Sequence, residues 1–207
     1  MRRNKNNGQR KHFRFHGIIN FRLHLQEIGR GRGGAATEKF VSLGETSDND
    51  MSHNIRKAEP RDLEAVNRLL GQVLKVHHDG RPDLFRAEGK KYTDGEILAI
   101  FANPETPVFV FDEDGEVLGY AFCIAQSASS HAQTPVRTLY VDDICVDERA
   151  RGRHVGTALF EHVKAYAKEQ GFYNITLHVW ECNPAAMAFY TALGLKPQYT
   201  SMEMIIR

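Results

Sequence analysis

The sequence predicts a mixed α/β fold in one domain. Three observations carry that reading. Strand-like and helix-like apolar periodicities alternate along the chain, Asp114-Gly115 separates two β-rich runs, and a long strand enters a helix through a turn rich in arginine and glycine. With 207 residues, 42% of them hydrophobic, the chain can bury one full core, and nothing in it demands a second.

Taken in order, Ile55 to Ala58 reads as a short strand ended by Pro60. Asp62 then stands where it can cap a helix whose stripe of Leu63, Val66, Leu69, Leu70, Val73 and Val76 has helical period and faces a core. His77 to Asp83 is a polar loop, after which Thr93 or Asp94 caps a second helix through Ile97, Ile100 and Phe101, ended before Pro104. Val108 to Phe111 and Val117 to Ala125 form a hairpin, and Val136 to Val146 is a third long strand. Gly152 to Gly156 turns into a helix with Leu159, Val163 and Tyr166 on one face, closing near Gly171. Asn174 to Trp180 reads as a strand, Asn183 to Leu193 as a helix ending at Gly194, and Thr200 to Ile206 as a last strand.

Residues 1–50 differ in composition. They are rich in Arg, Asn and Gly, hold ten Lys/Arg against five Asp/Glu, and show no caps or turn signals. Residues 51–207 hold 17 against 21 and are mildly acidic. The expected organisation is a basic, disordered extension over 1–50, with a strand-like alternation between Phe13 and Leu25, followed by a folded domain over 51–207. Three readings of the extension stand: a nucleic-acid-binding arm, a transit peptide with no acid before Glu27, or a wrongly chosen start codon. The last is favoured because Met51 opens a sequence that at once has the grammar of a fold. No apolar run reaches 18 residues, no secretory signal is visible, and Cys123, Cys145 and Cys182 lack disulfide or metal spacing. A soluble, cytoplasmic protein without a metal is expected.

The segment from Ile144 to Leu159 places a buried strand, an Arg/Gly turn and a helix start in succession, which aims backbone N–H groups and a helix dipole at an anion. It is no Rossmann fingerprint, since GxGxxG is absent, and no Walker loop. It resembles the GNAT superfamily, whose signature here is Arg/Gln-x-x-Gly-x-Gly/Ala. Arg151, Gly152 and Gly156 match, while His154 falls on the first motif glycine. That departure weakens binding if the position needs φ > 0 and otherwise adds a donor. A second segment, Asn183 to Leu195, resembles the family's Asn-x-x-Ala-x-x-Phe/Leu-Tyr-x-x-x-Gly-Phe through Asn183, Ala186, Phe189, Tyr190 and Gly194, with Leu195 in place of the Phe.

The resemblance implies a mixed, mostly antiparallel central sheet, splayed in the middle and flanked by helices, and an N-acetyltransferase using acetyl-CoA. The implied cofactor contacts are the bulged strand at Ile144, Cys145 and Val146, the turn residues Arg151, Gly152, Arg153, His154, Val155, Gly156 and Thr157, and Asn183. Gly156 would let the backbone approach the pyrophosphate; Asn183 also reads as an N-cap before Pro184. Tyr190 is the implied acid. Of Phe189 and Tyr190, only one should point fully inward. For the base, His178 and Asp142 compete, with Glu203 a weaker third. Strand alternation puts Asp143 on the face opposite Asp142. Cys145 has no neighbouring base and belongs to the strand. The loop holding His77, His78, Asp79, Arg81, Asp83 and Phe85 borders the acceptor site of this family.

The expected activity is transfer of acetyl to a primary amine by direct attack in a ternary complex, the acceptor being a small molecule, a protein N-terminus or a lysine. A non-catalytic acetyl-CoA-binding module is the alternative. Nucleic acid and membrane partners are not expected, and the protein reads as a monomer or homodimer.

Overall fold

A computed structural model describes residues 54–127 and 132–206. The expectations for the basic extension, including the alternation between Phe13 and Leu25, lie outside the described residues. Five strands form one sheet in the order β1 (Ile55–Lys57), β2 (Val108–Glu113), β3 (Glu116–Ser127), β4 (Arg137–Val146) and β5 (Asn174–Thr176). The first four pair antiparallel and β5 joins β4 in parallel. The helices are α1 (Leu63–Gly80), α2 (Asp94–Ala102), α3 (Val155–Glu169) and α4 (Pro184–Ala192).

Local chemistry explains most of these boundaries. Asp114 and Gly115 both take positive φ, as a two-residue hairpin turn requires, and the Asp112 carboxylate accepts the Gly115 N–H at 2.8 Å. Thr93 caps α2, accepting from Glu96 N–H while the Glu96 carboxylate accepts the Thr93 N–H. Asp62 does not cap α1 as expected. Its carboxylate is taken by Arg56 at 2.7 and 2.8 Å and by the Glu59 N–H, so it ties the helix start to β1. The buried stripe of α1 runs through Val66, Leu69, Leu70 and Val73 to His77, with Val76 only half-buried.

The two faces of the sheet follow from which side chains meet which helix. Phe109 meets His162 and Tyr166 of α3, and Gly119 lets Val155 and Leu159 of α3 close on β3. On the other face Phe122 meets Phe101 of α2, and the Cys145 thiol donates to the Leu69 carbonyl of α1.

Two expected strands are shorter or missing. β5 ends at Thr176 instead of Trp180, and Thr200 to Ile206 forms no strand. Met202, Met204 and Ile206 of that segment are 84% or more exposed. β propensity was present there, but a strand needs a neighbouring edge to satisfy its backbone, and among the described residues none pairs with it.

Candidate active site

The centre of the molecule is where β4 loses its neighbour. β5 pairs only with Thr138–Tyr140, so from Val141 to Val146 β4 has no strand on that side among the described residues. The bulge lies two residues earlier than expected from the resemblance: the β3 register jumps from Phe122↔Asp143 to Cys123↔Val141, leaving Asp142 extra, while Ile144, Cys145 and Val146 stay paired to β3. Burial holds the Cys145 side chain as the neutral thiol, its pKa raised well above the usual value.

Beyond β4, Asp147 fixes the turn. Fully buried, it accepts from Arg68, from the Arg149 side chain and from the Arg149 N–H, and those bonds hold it below the ordinary carboxylate range. Gly152 (φ 79°) and His154 (φ 61°) are both left-handed, so the residue at the motif glycine does adopt the conformation that disfavours side chains. The first bond of α3 is Ala158 N–H to the His154 carbonyl, leaving the preceding N–H groups at the helix start directed outward. Arg153 is drawn away to Glu113 at 2.6 Å, whereas the buried Nε of Arg151 has no partner. A Cβ at Gly156 would lie 3.4 Å from the Phe189 ring and 3.5 Å from Val146, an ordinary contact, so a methyl group fits there and a larger side chain would press on the core.

Asn183 fulfils one of its readings visibly: Oδ1 accepts the Ala186 N–H at 3.1 Å and caps α4. Its buried Nδ2 has no partner. These unpartnered groups of the turn and of Asn183 are all donors, which suits a polyanionic, amide-bearing ligand such as acetyl-CoA. Phe189 and Tyr190 are both buried, contrary to expectation, because Phe189 packs toward Gly156 and Tyr190 toward Phe160. Burial raises the Tyr190 phenol well above its ordinary value, and the charge of Asp143 adds to the rise.

The two base candidates are engaged. Asp142 accepts from Lys91 at 2.8 Å and from the Tyr92 hydroxyl at 3.0 Å. Asp143 is not on the opposite face. The extra residue at Asp142 breaks the alternation, so Asp143 Oδ2 lies 3.6 Å from the same Lys91 and accepts from Tyr120 at 3.2 Å, while its Oδ1 has no partner. Burial raises Asp143 to about 6, with Lys91 opposing and Asp142 adding. Burial works against the Lys91 charge, but the two carboxylates outweigh it and its pKa rises. His178 sits between two phenols, Nδ1 at 3.1 Å from the Tyr140 hydroxyl and Nε2 against that of Tyr199. Glu203 pairs with Arg81 in the exposed periphery. Lys91, Tyr92, Tyr120 and Tyr140 went unread in the sequence; only the alternation of Tyr140 with Asp142 on one strand hinted at any of them.

In the loop that follows α1, His78 Nδ1 meets the Phe85 carbonyl at 2.9 Å. His77 is 3% exposed, lies tilted against the Phe85 ring at 5.0 Å, and among the described residues finds no partner for either nitrogen. Burial, aided by Lys91, lowers it to about 4, so it is a neutral wall and no base at neutral pH. Among the described residues no helix is long and apolar enough to cross a membrane.

A family profile described as acetyltransferase (GNAT) family matches residues 73–195. Among curated proteins, the chain is 27% identical over 161 residues to the thialysine N-epsilon-acetyltransferase of Bos taurus, covering 75% of this chain and 84% of that one. It is 29% identical over 114 residues to an uncharacterized N-acetyltransferase of Methanocaldococcus jannaschii, covering 55% of this chain and only 50% of that protein's length. Among solved structures, a mutant of the BH1408 protein from Bacillus halodurans superposes with a TM-score of 0.71 at 32% identity, covering 74% of this chain and 99% of that one.

Proposed function

The chain belongs to the acetyltransferase (GNAT) family, and from that premise we propose that it moves the acetyl group of acetyl-CoA to a primary amine by direct attack in a ternary complex. The observation that carries the reading is the set of unsatisfied donors around the open side of β4: the first N–H groups of α3, Arg151 Nε and the buried Asn183 Nδ2. Acetyl-CoA, when bound, supplies an activated acyl carbon on a thiol leaving group. The turn from Arg151 to Thr157 holds the pyrophosphate through backbone N–H groups and the helix dipole, and Asn183 donates to an amide of the arm. The N–H groups of Ile144–Val146 that face the open side orient the acyl oxygen. Residues 51–207 are the proposed catalytic unit.

Tyr190 holds a proton securely at neutral pH, because burial and the Asp143 charge disfavour the phenolate, and gives it to the departing sulfur. In this reading the proton released by the amine has an outward path: the buried Tyr140 hydroxyl lies 3.1 Å from His178 Nδ1 and His178 Nε2 meets the exposed Tyr199 hydroxyl, so with the imidazole proton on Nε2 the chain of hydrogen bonds runs from Tyr140 to Tyr199. Asp142, held by two donors, steadies positive charge beside that path. Thiol release on mixing the full chain with acetyl-CoA and a panel of amines, amino acids and peptides tests the reading. Release that requires the amine is expected; no release with any acceptor would overturn it.

A further inference from the structure

The α1 face of the sheet carries a cavity of about 320 Å³, walled by Leu70 and Val73 of α1 and by Phe85 of the loop. That volume is at the small end of ligand pockets and suits an amino-acid-sized molecule. Its floor is Asp143, whose side chain is 1% exposed and whose Oδ1 has no partner among the described residues. A buried carboxylate oxygen without a donor is costly, and an ammonium or amine of a ligand would satisfy it. Neighbouring cations do not serve that oxygen: Lys91 is committed to Asp142 at 2.8 Å and Lys90 to Asp94 at 2.7 Å. Arg86 also lines the cavity; it is exposed, and among the described residues it makes no hydrogen bond or ion pair, not even with Glu88 beside it.

Resting on the transferase reading above, we propose that this cavity is the acceptor site and takes a primary amine that also bears a carboxylate, of amino-acid size. Its amine meets Asp143 Oδ1 at the floor and its carboxylate meets the Arg86 guanidinium at the mouth, a planar donor pair shaped for a carboxylate. The site lies beside the open stretch of β4, since Asp143 directly precedes Ile144, and the Asp143 charge acts on the Tyr190 phenol. An acceptor with a second ammonium in place of the carboxylate would meet Arg86 charge to charge.

The experiment compares matched pairs that differ by one carboxylate: lysine with cadaverine, ornithine with putrescine, phenylalanine with phenethylamine. Thiol release is measured on the full chain, and binding by calorimetry with coenzyme A present. In at least one pair the carboxylate-bearing acceptor is expected to have a kcat/KM about tenfold or more higher, the size of one charge-assisted hydrogen bond. Arg86→Gln should shrink that ratio and Arg86→Glu should invert it, whereas Glu88→Gln should leave the preference in place. No preference in any pair, or a preference untouched by Arg86→Glu, overturns the inference while the transferase stands. Absence of thiol release with every amine removes both.

Discussion

On the α3 side of the open stretch of β4, the groups left without partners are donors: Arg151 Nε, Asn183 Nδ2 and the first N–H groups of α3. On the α1 side they are the carboxylate oxygen Oδ1 of Asp143 and both nitrogens of His77, with Trp180 Nε1 a donor among them. One side is made largely of main chain and asks for anions and amides. The other is made of side chains gathered from α1, the following loop and β4, and asks for an amine. The difference teaches that one strand can present opposite needs on its two sides, which is what the proposed ternary complex requires.

The largest expected effect lies at the meeting point of the two sides. Tyr190→Phe removes only the hydroxyl, so kcat should fall by ~10²–10⁴-fold where chemistry limits turnover, with a stability loss on the order of 1 kcal/mol. Wild-type kcat would reduce Tyr190 to a core aromatic and end the donor side at Asn183.

The acceptor side can be broken through its wall. His77 has its folded pKa depressed to about 4, below the ordinary 6.5, so the unfolded chain binds the extra proton first as pH falls. The stability that its neutrality confers is complete above 6.5 and is lost as pH drops toward 4, by on the order of 3 kcal/mol. Urea unfolding at pH 7 and pH 4.5 should show that loss in the wild type and a smaller one in His77→Leu. Parallel pH dependence in the two proteins would mean that His77 is not held neutral.

The smallest effects belong to the turn. Gly152→Ala meets no atom within 4 Å, so its only cost is the left-handed backbone, about 1 kcal/mol. His154→Gly should shift stability by less than about 1 kcal/mol, in the favourable direction, because relief of φ 61° is partly offset by greater freedom of the unfolded chain. Thermal melts of both variants check the pair, and a destabilised His154→Gly would show that the imidazole makes a contact outweighing the strain.

What was legible in the sequence follows the same division. The hairpin at Asp114-Gly115, the Thr93 cap, the α3 turn and the Asn183 cap are all written within a few residues of where they act, and all appear. The Asp142–Lys91–Tyr92 cluster joins residues 50 and 51 positions apart, and no local pattern announces it. Asp143 was misplaced because period-two alternation holds only for an unbroken ladder, and the bulge at Asp142 is set by pairing with β3. The last strand failed for a related reason: Thr200 to Ile206 has the composition of a strand, but composition supplies no edge to pair with.

The bulge has a consequence for how this chain tolerates insertion and deletion. β4 is written in two phases that meet at Asp142, with Thr138 to Val141 in one parity and Asp143 to Val146 in the other. Loss of Asp142 itself would remove the bulge and leave every other side chain of β4 on its present face, whereas loss of Ile144 would consume the bulge and draw the Asp143 carboxylate onto the α3 face in its place. Apart from that one position, β4 is more sensitive to a change of length than the loop of 13 residues between α1 and α2, where the chain can absorb one without altering any pairing in the sheet.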